Sequence, residues 1–451
     1  MTEPKDWQHG DVHQQPIGHS AGALLIEPEG TAHLLDGSYE GPVKIRGPLR
    51  KLMLWLIPLT LSIFIVGPAA GLLLGLQIST LDPVHKVTNL AIVSSVGAAL
   101  ALIGQPLGGL LSDRTRSRFG RRAPWIVGAT LFGVVALAVM GLQHSLPAIV
   151  VFWGLAQLGI TVGNGPVNAI LPDRVPAAAR ATIASVTAFG ALGGGIFGAL
   201  YGATFKYDIV LAYVVLAAIV LVITVLFCAF NPDVSSKDHK VEPIHWRHFL
   251  SAFWVNPIKH PDFFWVFSGR MLINIGFSSV TGYALYLLSD YIRLCSGDQT
   301  CSAATNAVPL ASIVAAVPAI LGLALSGPLS DKIGRRKPFV YLGAAIIAAG
   351  LLVPFFVPTL PGFLIMSAIA AFGLGIFGPA DLALVTQLLP NPESFAKDLG
   401  IINIASFLPN IVGPIVAGVI ISIAGYAPLF PIASILCIVG ALSVAFVRKV
   451  R

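Results

Sequence analysis

Twelve apolar stretches, each about as long as a bilayer is thick, set the limits on what this chain can fold into. They run over residues 51–78, 88–112, 124–142, 147–171, 180–204, 208–230, 262–288, 307–330, 338–358, 361–388, 397–421 and 427–447. A hydrocarbon core about 30 Å thick takes roughly 20 residues of helix to cross. Lipid offers no partner to an unpaired backbone group, so each stretch is expected to be helical throughout. Composition agrees: 55% of the 451 residues are hydrophobic and 11% charged, with a mean hydropathy of +0.82. So few charges cannot coat several soluble domains, and the expected class is an all-α membrane protein.

Cations set the orientation, because loops rich in Lys and Arg stay on the cytoplasmic side. With the N-terminus inside, only Lys86, Lys206 and Arg293 of the 28 Lys and Arg fall outside, and Arg270 is embedded. Both termini are therefore expected in the cytoplasm. Residues 1–50 open with no charged leader and cleavage site and read as a retained polar tail without fixed structure. The basic pI of 9.3 reflects topology, since cations scattered over separate short loops do not make a nucleic-acid surface. Cys228 and Cys437 lie within spans and are expected to pack as small apolar residues. Cys295 and Cys301 share the outer loop "RLCSGDQTCSA", where the compartment and spacing admit either a local disulfide or two free thiols. No metal or cofactor set is expected.

The polar interruption at 231–261 divides six spans from six, giving residues 51–230 and 262–451 as two bundles joined by a cytoplasmic linker. Within the linker, His245 to Val255 carries aromatic and basic residues at helical spacing, compatible with a surface-lying helix or a plain connection. After the second span stands "GGLLSDRTRSRFGRR" (108–122), and after the eighth "GPLSDKIGRR" (327–336), matching Asp113 with Asp331. A motif recurring at the same place in each half marks an internal repeat.

The pattern G-x-x-x-D-(R/K)-x-G-R-(R/K) after spans two and eight resembles the signature loop of the major facilitator superfamily. The resemblance covers about residues 50–450 and implies two pseudo-symmetric six-helix bundles, the major facilitator fold. The second copy fits at Gly327, Asp331, Lys332, Gly334, Arg335 and Arg336; the first carries "TRSR" inserted between Arg114 and Phe119. That expanded loop, with "NAILPDRVP" and "NPIKHPDFFWVFSGR", is similar to the glycoside, pentoside and hexuronide cation symporters and the sucrose transporters. In that family the loop helps to hold the outward-open state through the neighbouring bundle. Gly109, Asp113, Arg114, Gly120, Arg121 and Arg122 therefore carry over as conformational gate residues, with the second copy. Arg180, at the start of the fifth span, is a candidate partner for Asp113. The charge rule alone accounts for arginines but gives no reason for an aspartate.

Glycine at every fourth residue lets helix backbones approach closely: Gly190, Gly194, Gly198 and Gly202 in span five, Gly67, Gly71 and Gly75 in span one. Static packing and bundle rocking both fit this pattern. Solute contacts are expected as polar stripes, since polar groups facing lipid cost energy without return. Gln157, Thr161, Asn164 and Asn168 form one on span four; Arg270, Asn274, Ser278 and Thr281 form one on span seven; Asn403, Ser406 and Asn410 form a third on span eleven. Hydrogen bonds between packed helices would also explain individual members. Trp153, Phe264, Tyr283 and Tyr286 could stack on a sugar ring or serve as anchors and core.

Two embedded charges stand out. Arg270 lies about eight residues into span seven, roughly 12 Å deep, and Asp381 lies at a matching depth in span ten. An isolated charge there would be costly, so a pair is expected. Pairing favours the ionised carboxylate, and parting in a dry site favours its protonated form, which would couple a proton to transport. A permanent structural pair is the alternative. Span two, "TNLAIVSSVGAALALIGQPLGG", lacks the acidic residues usual in the glycoside group, which disfavours sodium and fits a proton-coupled or an uncoupled carrier.

Together these features predict a multi-pass, monomeric carrier of the bacterial inner membrane. It would move a small polar solute, a sugar or glycoside first, by alternating access with proton symport. A drug or metabolite exporter of the same fold, and a non-transporting membrane sensor, are the competing readings. An enzyme is not expected, because no set of nucleophile, acid and base shares one depth.

Overall fold

The computed structural model describes residues 48–233, 235–237, 261–295, 301–333, 336–387 and 395–447. Among these residues, twelve helices are long and apolar enough to span a membrane. They are α1 (Pro48–Leu81), α2 (Lys86–Asp113), α3 (Ala123–Met140), α4 (Leu146–Asn168), α5 (Ala177–Thr204), α6 (Ile209–Phe230), α7 (Pro261–Thr281), α8 (Ser302–Ile333), α9 (Lys337–Phe356), α10 (Leu360–Gln387), α11 (Phe395–Ala424) and α12 (Leu429–Ser443). The expected tail, most of the expected linker and His245 to Val255 lie outside the described residues.

Short connections make neighbouring helices antiparallel, so residues 48, 230, 261 and 447 lie on one side, here the tail side. The loop 82–85, residues 292–295 and residue 301 lie on the far side. Asp208 starts α6 by accepting the Leu211 amide at 2.9 Å, the usual way to satisfy a free helix N–H.

Span seven differs from the expected single helix. α7 stops at Thr281; a turn at Gly282 and Tyr283 leads into a short helix, Ala284–Tyr286, and a π-helical turn, Leu287–Tyr291. Span four also ends early, at Asn168, and a separate short helix, Ile170–Arg174, follows.

Packing divides the helices into two groups. α1 lies along α5, α2 and α3 along α4, and α3 along α6; α8 and α9 lie along α10, and α7 and α9 along α12. α2 with α11, and α5 with α8, join the two groups. The α5 glycine stripe sits on α1. A Cβ at Gly194 would meet Phe64 and the Leu61 carbonyl, and one at Gly198 would meet the Ile65 carbonyl. This close approach is the static packing that such spacing permits. Gly67 and Gly71 of α1 instead have no neighbour within 4 Å of a Cβ position and face a central cavity.

Candidate functional site

A cavity of about 620 Å³ lies between the groups in their far halves, walled mainly by α1, α2, α4, α7, α8, α10 and α11, with Ala199 of α5 and Leu351 of α9. Trp153, Gln157, Ser278, Thr281, Tyr283 and Tyr286 line it. No Asp, Glu, Lys, Arg or His is among its described lining residues.

Cross-bundle bonds roof it on the far side. Tyr283 Oη donates across the groups to the Val87 carbonyl (3.0 Å) and within its own group to the Pro414 carbonyl (3.2 Å), and Tyr286 Oη donates across to the Gly75 carbonyl at 2.9 Å. The break in α7 is what turns these two rings across the roof. Further out, Lys86 Nζ donates to Asp290 Oδ1 at 2.9 Å and lies 2.8 Å from Oδ2. Tyr426 and Ser289 donate to the same carboxylate at 2.6 and 2.9 Å. Burial, reinforced by the bond to Asp290, pushes the Tyr426 phenol above its ordinary range, so it stays a donor. Lys206 Nζ donates to Asn306 Oδ1 at 3.1 Å, a second link between the groups. Cys295 and Cys301 form a disulfide that ties the chain after Tyr291 to the start of α8.

Arg270 and Asp381 meet tailward of the cavity. Arg270 Nη1 donates to Asp381 Oδ2 at 2.8 Å, and the two side chains are 15% and 4% exposed. So dry a pair depends on its partnership, because either charge left alone would carry most of its desolvation cost.

On the tail side the arginine loop closes on an acidic hub. Arg121 Nη2 and Arg122 Nε donate to Asp173 Oδ2 at 2.6 and 2.7 Å, and Arg122 Nη2 contacts the same oxygen. Asp113 lies 3.3 Å from Arg122 Nη2 and 3.8 Å from Arg121 Nη1. Gly120 has φ +84°, and a Cβ there would strike Asp233, whose carboxylate pairs with Arg174 at 2.6 Å and accepts the Arg122 amide. Both the backbone conformation and the space require glycine. Asp113 thus finds its partners in its own loop, while Arg180 Nε donates to the Val175 carbonyl.

Residues 52–294 and 298–451 match the family model described as Major Facilitator Superfamily. The chain belongs to the major facilitator superfamily. It is accordingly a multi-pass membrane transporter of that type. It is 26% identical over 398 residues to the multidrug resistance protein MdtG of Escherichia coli O9:H4 (strain HS), covering 83% of this chain and 90% of that one. Its fold is similar to the crystal structure of the nucleoside transporter NupG, with a TM-score of 0.68 at 16% identity over 89% of this chain and all of the other. It is also similar to a bacterial homolog of the human lysosomal transporter Spinster in an inward-facing, occupied conformation, with a TM-score of 0.59 at 17% identity over 89% and 95% of the two chains.

Within this superfamily fold the expected stripes divide. Gln157, Ser278 and Thr281 reach the cavity. Thr161 instead donates to the Gln157 carbonyl and packs toward Gly104 of α2. Asn164 is half-buried and Asn168 exposed, both tailward of the lining. Asn274 donates to the Arg270 carbonyl at 2.8 Å. Asn410 lines the cavity, whereas the side chains of Asn403 and Ser406 lie outside the described residues. Trp153 and the two tyrosines line the cavity, while Phe264 is 43% exposed and packs on Trp265. Ser94, Ser312 and Ser367 also line it; isolated serines are common in membrane helices and form no stripe that the sequence would single out. Of the second loop, Gly327 and Lys332 are described; the Asp331 side chain, Gly334 and Arg335 lie outside the described residues, and Arg336 directly precedes α9 without a side-chain bond to its first turn.

Proposed function

We propose that the chain is a monomeric secondary carrier of the bacterial inner membrane. In this reading the tail side faces the cytoplasm, and the solute is small and polar, a sugar or glycoside first. The supporting observation for alternating access is the asymmetry between the two sides. Cross-bundle bonds roof the cavity on the far side. On the tail side Gly109 and Gly327, equivalent residues of the two repeats, each face open space with nothing within 4 Å of a Cβ position. Rocking the bundles would close the tail side over these glycines and break the roof.

Proton symport would use Arg270 and Asp381. A solute or a bundle movement that draws Arg270 away leaves a buried carboxylate that takes up a proton, and renewed pairing releases it. Asp381→Asn is expected to keep solute exchange in proteoliposomes and lose accumulation driven by a pH gradient. Accumulation at the parent level would reject the coupling role. Export is the second reading, favoured by the similarity to MdtG; the gradient direction that drives net movement in the same vesicles decides between them. The expanded first loop supports placing the chain near the glycoside and sucrose branch.

A further inference from the structure

We infer that the cavity takes uncharged ligands rich in hydrogen-bond donors, and that Gln157 and Ser94 answer the ligand's acceptors; this inference rests on the carrier reading above. The described lining carries no charged side chain, so an ionic ligand would leave water without a counter-charge. The charges around it are already paired: Lys86 with Asp290 outside the Tyr286 roof, and Arg270 with Asp381 on the tail side. Arg270 lies eight residues along α7 from Ser278, about 12 Å.

The hydroxyl protons are also committed. Ser278 donates to the Pro409 carbonyl at 3.0 Å, Thr281 to Phe277 at 3.1 Å, Ser312 to Val308 at 3.2 Å and Ser367 to Phe363 at 2.9 Å. Tyr283 and Tyr286 spend theirs in the roof. A hydroxyl has one proton and two lone pairs, so each of these six can offer a ligand only an acceptor. Turning one toward a ligand as a donor would forfeit a bond already made to the backbone. The side chains of Gln157 and Ser94 line the same space and make no hydrogen bond among the described residues, so their N–H and O–H groups remain for the ligand. Asn410, the other amide on the wall, is already engaged, so the wall presents more acceptors than donors. Trp153, Phe277 and Phe363 add apolar surface for a ring face. The chemistry that fits is a neutral ring carrying several O–H or N–H groups.

The test uses purified full-length protein and two neutral scaffolds, phenyl β-D-glucoside and uridine. Each has an anionic and a cationic relative: phenyl β-D-glucuronide and phenyl β-D-glucosaminide, uridine monophosphate and 5′-amino-5′-deoxyuridine. Thermal shift titrations are expected to show binding of at least one neutral parent and at least tenfold weaker binding of both its charged relatives. Replacing single hydroxyls of that parent by fluorine keeps size and acceptor but removes the donor. At one position or more this should weaken binding about tenfold. Gln157→Leu should weaken the parent similarly without lowering the unliganded melting temperature, and Gln157→Glu should admit the cationic relative. Three results overturn the inference: a charged relative binding better than its parent, fluorinated analogues binding undiminished at every position, or no neutral ligand binding. Vesicle uptake separates this from the carrier reading. The predicted binding pattern without uptake defeats the carrier reading alone, and uptake of charged solutes only defeats the inference alone.

Discussion

Replacing Lys86 by Met should loosen the far-side roof by a calculable amount. Lys86 is the cross-bundle partner of Asp290, whose other partners, Tyr426 and Ser289, sit in the same group of helices as Asp290 itself. The paired side chains are 22% and 27% exposed, so solvent screening limits the ion pair to about 1 kcal/mol. Lys86 Nζ also lies 5.0 Å from the centre of the Tyr286 ring, a cation–π contact contributing about 0.5 kcal/mol. Methionine keeps the apolar stem and loses both terms. The sum, about 1.5 kcal/mol, shifts the balance between roofed and open forms a little over tenfold, about 10- to 13-fold, toward open.

A cysteine at Thr281, inside the cavity, reports this shift through its labelling rate by a membrane-impermeant maleimide added from the far side. Cys228→Ser in the background removes the half-buried native thiol, while Cys437 is fully buried. Labelling should be about tenfold faster with Lys86→Met and near the parent rate with Lys86→Arg. High salt should accelerate labelling in the parent more than in Lys86→Met, since the pair is open to screening. Equal rates in the parent and Lys86→Met, or equal acceleration by Lys86→Arg, would refute the reasoning.

Gly120→Ala should destabilise the protein by about 2 kcal/mol. The left-handed backbone there disfavours a Cβ, which would also push Asp233 off Arg174; a thermal midpoint equal to the parent's would contradict this. Asp173→Ala leaves Arg122, only 3% exposed, with Asp113 alone and should cost about 2 kcal/mol. Adding Arg122→Met should recover much of that loss, and a double variant as unstable as Asp173→Ala would show that the pairing is not the cause.

The twelve helices were readable because apolar length is nearly all a membrane asks of a sequence. The α7 break was not. "TGYALYLLSD" is as apolar as an unbroken span, and Gly282 is its lone breaker. Arg270 and Asp381 were readable as a pair because two costly charges at one depth have few other ways to exist. The α4 stripe was half readable. Gln157 reaches the cavity, but Thr161, about 40° around the helix from it, finds space beside Gly104 and turns there. Asp173 stood in plain view in "NAILPDRVP", yet its role depends on a fold that carries that segment back to Arg121 and Arg122. Such a contact has no local signature.

Alternating exposure of the cavity is tested most directly by spin-label distances in liposomes, on a far-side pair at Val84 and Ile423 and a tail-side pair at Arg116 and Lys332, all exposed positions. Each pair should show two distances, and neutral solute with a pH gradient should shift the two pairs in opposite senses. A single unchanging distance for both pairs, or widening of both together, would contradict the account.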